Sequence, residues 1–195
     1  MIETGARGSG EEVLEIYRSS GDRRHEGTQL TNLGRPAWKQ DDFTTAQTLQ
    51  EHALAIGREI GSTYVTNHAL LGLGNALRDQ GQLSRARAAL EEAIALAGTV
   101  RDQSMCAFCL DALAYVALRQ GQRSEARTSF AESLRLWWEI GLHAKVADSL
   151  DGHARLAAMR GQRERVLRLA GAASGLRARL SCRTTTLADR ARRVV

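Results

Sequence analysis

Lysine is nearly missing from this chain. Only Lys39 and Lys145 are lysines among its 27 basic residues, a bias toward arginine that points to GC-rich bacterial coding. Proline occurs once, at Pro36, and aromatic residues make up 5%. With so few aromatic residues and β-branched runs, a sheet-rich fold is not expected, whereas abundant alanine, leucine and arginine favour helices. No run reaches the roughly 18 apolar residues of a membrane-spanning helix. The opening "MIETGARGSG" also lacks the basic-then-apolar order of a secretory signal. A cytoplasmic setting is therefore the expectation, and in it Cys106, Cys109 and Cys182 should be reduced thiols.

What is present suffices for a folded chain. Hydrophobic residues make up 43% and charged residues 25% of 195 positions, room for one or two ordinary domains or one short repeat array. The net charge of +5 is unevenly placed: from Arg155 onward eleven arginines face only Glu164 and Asp189, so the preceding part is net acidic. Such a basic end suits an acidic partner or nucleic acid. It equally suits a solvated helix face, or a tail packed on another part of a longer protein.

The chain repeats itself. "QGQLSRA" at 80–86 returns as "QGQRSEA" at 120–126 and as "RGQRERV" at 160–166, always 40 residues apart. Ala46, Ala86, Ala126 and Val166 form one column of mostly small residues, and Ala53, Ala93, Ser133 and Ala173 form another. Leu33, Leu73 and Leu113 align with His153, each followed by Gly34, Gly74, Ala114 or Ala154. Ile16, Ile56, Leu96, Leu136 and Leu176 fall in register, as do Gly21, Gly61 and Gly141, with Arg101 and Ser181 as exceptions. Self-similarity at a fixed period is the signature of a solenoid, in which each helix pair buries its apolar stripe only by stacking on its neighbours. The fold class expected is all-α, an α-solenoid of antiparallel helix pairs with turns near Asp41, Gly81, Gly121 and Gly161.

The stretch "LGNALRDQGQLSRARAALEEAIAL" resembles the tetratricopeptide repeat family, with leucine-glycine, turn glycine and two alanines at the family's offsets. The resemblance runs from about Glu11 to Leu180. It implies a single helical-repeat domain over residues 1–195, with about four and a half repeats. The period exceeds the family's roughly 34 residues, so one helix or loop is expected to be longer. Pro36 predicts a kink or an early stop, because proline removes a helix hydrogen bond and disfavours the helical conformation of Arg35. "GEEVLEIYRSSG" aligns with "QEHALAIGREIG", so the chain opens on the second helix of a pair and is expected to be a piece of a longer array. "LAIGREIG", "LRLWWEIG" and "RERVLRLAGAASGLR" further resemble the carboxy-terminal repeat region of bacterial LuxR-type or AfsR-like multi-domain transcriptional regulators. That resemblance implies a sensor or autoinhibitory arm. No Gly-x-x-x-x-Gly-Lys-Ser/Thr loop accompanies it, since "GARGSGEE" lacks the lysine.

Little here supports catalysis. Cys106-Ala-Phe-Cys109 has redox or zinc spacing, but it lacks the βαβ context of one and the second ligand pair of the other. It reads as two small buried residues one helical turn apart. The histidines are scattered, and no acid pair is placed in a recognisable cleft. No catalytic, metal or cofactor site is expected, and the chain is not expected to be an enzyme. Of Trp137 and Trp138, about 100° apart on a helix, only one can face the core well.

The family's binding surface is the concave face of the first helices. By family position its columns here are Thr31, Leu71, Asp111 and Asp151; Arg35, Asn75, Tyr115 and Arg155; Trp38, Arg78, Leu118 and Ala158. Arg35, Trp38, Asn75, Arg78, Asp111, Tyr115, Asp151 and Arg155 are the partner-binding candidates. Their centre is expected where Asn75, Arg78, Asp111, Tyr115 and Arg155 converge. The implied function is a protein-interaction or regulatory module that binds a peptide or partner domain, within the same protein or another. No membrane partner is expected. The alternative is nucleic-acid binding through the arginine-rich end.

Overall fold

The computed structural model describes residues 3–192, with side chains described over residues 10–180. The side chains of Cys182, Arg183, Arg190 and Arg192, and all of Arg193, lie outside the described residues. Among the described residues nine helices follow one another: α1 Glu3–Ser20, α2 Arg23–Lys39, α3 Phe43–Glu59, α4 Thr63–Asp79, α5 Leu83–Thr99, α6 Gln103–Arg119, α7 Arg123–Glu139, α8 His143–Ala158 and α9 Arg163–Arg192. Among the described residues there is no strand.

The turns explain the metre. At Gly81 (φ 84°) the chain enters the left-handed region. There the amide of Gln82 donates to the Leu77 carbonyl at 2.8 Å and that of Gly81 to the Arg78 carbonyl at 3.0 Å. This is the Schellman ending of a helix. Residue 82 then starts the next helix, so three residues close one helix and open another. The same reversal occurs at Gly21, Asp41, Gly61, Arg101, Gly121, Gly141 and Gly161, all with positive φ. Where the opening residue is Asp22, Asp42, Ser62 or Asp102, its side chain also caps the new helix. Ser181 breaks the series because α9 runs through that position.

The true metre is therefore 20 residues per helix. α2 through α7 each have 17 residues, so the surplus over a shorter repeat is shared by both helices of a pair. This corrects the expectation of one lengthened element. Nor does Pro36 stop its helix, for α2 continues to Lys39. Gly34 and Ala37 are buried on either side of the proline, and Ala37 packs with Ala46 and Ala76. Tertiary packing outweighs the lost hydrogen bond.

The helices form two layers. α2, α4, α6 and α8 touch one another in sequence, whereas the odd-numbered helices, among the described residues, touch only even-numbered ones. The even helices thus line the concave side. Between the layers lie the small columns: Ala46, Ala86 and Ala126, with Ala53, Ala93, Ser133 and Ala173, are all buried. Gly57 shows why small residues recur there. A Cβ on it would stand 2.8 Å from the backbone nitrogen of Thr66, so α3 and α4 cross almost backbone to backbone. Trp137 is fully buried while Trp138 is 64% exposed.

Candidate functional site

Two contiguous depressions of about 670 and 530 Å³ run along the concave face. They share Trp38, Leu71, Asn75, Phe108 and Lys145. Of the concave positions read from sequence, Asp151 and Ala158 do not line this groove and the other ten do. Asp151 is instead bound to Arg177 of α9 at 2.6 Å.

A ladder of rings and guanidiniums crosses the groove. Arg78 lies 5.8 Å from the Trp38 ring and 5.7 Å from that of Tyr115, and Arg155 lies 5.8 Å from Tyr115. One rung comes from each of α2, α4, α6 and α8. Such contacts contribute about 0.5–2 kcal/mol each. Beside them Lys145 sits 5.2 Å from the Phe108 ring.

Arg78 is not a free contact for a partner. Its Nε and Nη2 donate to the two carboxylate oxygens of Asp79 at 2.9 and 2.7 Å, and its Nη1 donates to Asn75 Oδ1 at 2.9 Å. Asp79 also accepts from the Trp38 indole at 2.8 Å and lies 3.6 Å from Arg119. Burial pushes the Asp79 pKa up, but the hydrogen bonds from Arg78 and Trp38 and the charges of Arg78 and Arg119 outweigh it. The carboxyl is held below its ordinary value. The unit Trp38–Arg78–Asp79–Arg119 is a strut between inner helices.

Asp111 forms the groove floor. It accepts hydrogen bonds from Ser149 Oγ at 2.9 Å, Trp137 Nε1 at 2.9 Å and the Ser133 hydroxyl, which joins α6, α7 and α8. Burial raises its pKa, and the three donors with the Lys145 charge offset that only in part. By contrast, Arg35 and Arg155 are exposed at opposite ends of the groove. Among the described residues neither has a carboxylate partner. Burial, with the Arg35 charge, keeps His68 below the ordinary imidazole pKa.

Sequence reasoning missed Asp79, Phe108, Arg119, Lys145 and Asp148 as groove residues. Phe108 and Asp148 stand one helical turn before Asp111 and Asp151, so extending those columns by one turn would have found them. The others are placed by pairing between helices.

Cys109 is buried and its thiol is pushed up to about 12, by burial first. Cys106 is half-buried and its thiol is raised for the same reason. Both stay protonated near neutrality. Among the described residues no three His, Cys, Asp or Glu side chains are grouped to hold a metal. No described helix is long and apolar enough to cross a membrane.

No curated protein sequence gives a significant match. Among solved structures, BtubC (BKLC) from P. vanneervenii is similar with a TM-score of 0.76 and 16% identity, over 92% of this chain and 75% of that one. A Rap protein solved in complex with Competence and Sporulation Factor gives 0.75 and 11% identity. That match spans 91% of this chain but 52% of the Rap chain. A P. anserina protein of nearly identical TPR-like repeats gives 0.63 and 17%, over 93% and 99%. Residues 28–98 match the tetratricopeptide repeat family model, and the chain folds as an all-α, tetratricopeptide-like solenoid.

Proposed function

We propose that this chain is a non-enzymatic protein-interaction module whose concave groove holds an acidic peptide or helix with an apolar anchor. The observation that carries this reading is the charge of the groove. Six basic side chains line it against three acidic ones, around an apolar strip of Leu71, Phe108 and Leu118. Arg35 and Arg155 are the contacts for the partner's carboxylates, because the Arg78 fork is already occupied by Asp79. Arginine binds carboxylate through a planar fork, and the rigid ring of Tyr115 offers apolar area with a polar tip. The Rap protein solved in complex with Competence and Sporulation Factor supports a ligand-binding use of a similar fold. A place in a bacterial transcriptional or signal-transduction regulator rests on the sequence resemblance alone.

Fluorescence anisotropy with a labelled acidic dodecapeptide carrying one leucine tests the reading. Arg155→Ala and Arg35→Ala should each weaken binding about five- to tenfold with helicity unchanged. Binding that depends only on arginines beyond Arg160, with a steep dependence on salt, would move the function to the basic end and to nucleic acid.

A further inference from the structure

A buried carboxamide breaks an otherwise apolar column and borders the groove. Gln50 of α3 aligns with Leu90 and Phe130 in the 40-residue register, and all three are buried. Leu90 packs over Gly74, and Phe130 over Gly152. Gln50 fills the same kind of niche between Gly34 of α2 and Gly72 of α4. A Cβ on Gly72 would stand 2.8 Å from its Oε1, and one on Gly34 3.0 Å from its Cδ. Gly34, Gly72 and Gln50 all line the depression of about 530 Å³, so the carboxamide end lies at its wall. There Nε2 donates to the Thr31 carbonyl at 3.3 Å. Oε1 accepts from no group among the described residues, although Gln50 is only 3% exposed. Asn67 Oδ1 and His143 Nδ1 are also buried without a partner, but neither residue lines the groove. A buried acceptor without a donor destabilises the protein that holds it. Leucine, as at position 90, would fill the niche without that cost. A ligand that brings a donor recovers it.

We propose that this end of the groove is a subsite for a primary carboxamide, the side chain of a glutamine or asparagine in the bound peptide. The subsite rests on the peptide-binding role of the groove given above. A carboxamide NH2 donates to Gln50 Oε1, and its own oxygen is left to accept from the cations Arg35, Lys39 and Lys145 that line the same depression. An ammonium donor is repelled by those three cations. A carboxylate answers them but sets acceptor against acceptor at Gln50. A hydroxyl carries donor and acceptor on one atom, whereas the carboxamide spreads them between the buried Gln50 and the exposed Arg35. Leu71 of the apolar strip adjoins Gly72 in sequence, so the carboxamide belongs within a few residues of the peptide's apolar anchor.

The test is fluorescence anisotropy of the full chain with labelled acidic dodecapeptides. Each carries one leucine and, at a position scanned through the few residues on either side of it, glutamine, glutamate, methionine or serine. Methionine keeps the length without a donor, glutamate keeps the outline without a donor, and serine offers a donor on a short stem. At one position the glutamine peptide should bind at least about tenfold more tightly than the other three. Gln50→Leu should bring the ratio of glutamine to methionine affinity to about one, while Thr48→Ala, exposed on the same helix, should preserve it. Thermal midpoints verify that both variants fold. A second readout uses the unaltered chain: in nitrogen-15 NMR the Gln50 side-chain amide should shift with the glutamine peptide and not with the methionine one. Equal binding of all four peptides, still weakened by Arg35→Ala and Arg155→Ala, would overturn the carboxamide subsite and leave the groove reading standing. A glutamate peptide that binds as tightly as the glutamine one would reduce the subsite to charge, and serine matching glutamine would reduce it to any short donor. Either result overturns the proposal, as does a preference for glutamine that survives Gln50→Leu. Absent binding of every peptide would overturn the groove reading and the subsite with it.

Discussion

The Arg78 guanidinium stacks on the Tyr115 ring at 5.7 Å while its fork closes on Asp79, the next residue along its own helix. One side chain thus braces α4 against α6 and, through Trp38, against α2. The inner wall is held in shape before any partner arrives.

Arg78→Ala removes the fork and both ring contacts, and leaves Asp79 with Trp38 and Arg119. It should lower unfolding stability by about 1–3 kcal/mol. Arg78→Lys should recover only part of this, since an ammonium cannot grip both carboxylate oxygens. Urea midpoints compare the three proteins.

Two of the groove aspartates, Asp79 and Asp111, should push stability in opposite directions with pH. Asp79 has a depressed pKa, so its contribution is present above the unfolded value and lost as pH falls through the folded one, below about 4. Asp111 has a raised pKa, so its protonated form favours folding. That contribution is full below the unfolded value and lost as pH rises through the folded one. Asp79→Asn should therefore soften the acid loss, and Asp111→Asn should soften the decline on the way up from about pH 4. Urea midpoints between pH 3 and 7 give both slopes.

Two glycines should respond to alanine with opposite signs. Gly57→Ala forces α3 from the Thr66 backbone nitrogen, 2.8 Å from the added Cβ, and should cost about 1–3 kcal/mol. Gly98 is exposed within α5 and a Cβ there meets nothing within 4 Å. Gly98→Ala should stabilise by about 0.5–1 kcal/mol. Nearby Arg101→Gly should also stabilise, by about 1 kcal/mol, because Arg101 holds φ 56° where every other turn but that at Asp41 uses glycine. Thermal midpoints decide each case.

Part of the groove was legible in the linear chain. Asn75, Tyr115 and Arg155 follow from the 40-residue register, because equivalent positions of stacked helices become neighbours. The state of each side chain was not legible. Arg78 has Asp79 beside it in sequence, but whether an i, i+1 pair closes depends on Trp38 and Arg119, which reach Asp79 from other helices. Asp151 looked equivalent to Asp111, yet Arg177 of α9 draws it aside, and α9 is where the turn series ends.

The all-α fold, the turn positions and the small-residue columns were written in the linear chain. These depend on local chemistry: glycine in the left-handed region, alanine where two helices cross, and apolar residues at helical spacing. Stacking of the helices settled which tryptophan was buried, that α2 passes through Pro36, and which charges were paired. Those outcomes depend on competition among side chains brought together by stacking, where packing outweighs local propensity and the neighbouring helices decide which guanidiniums meet a carboxylate.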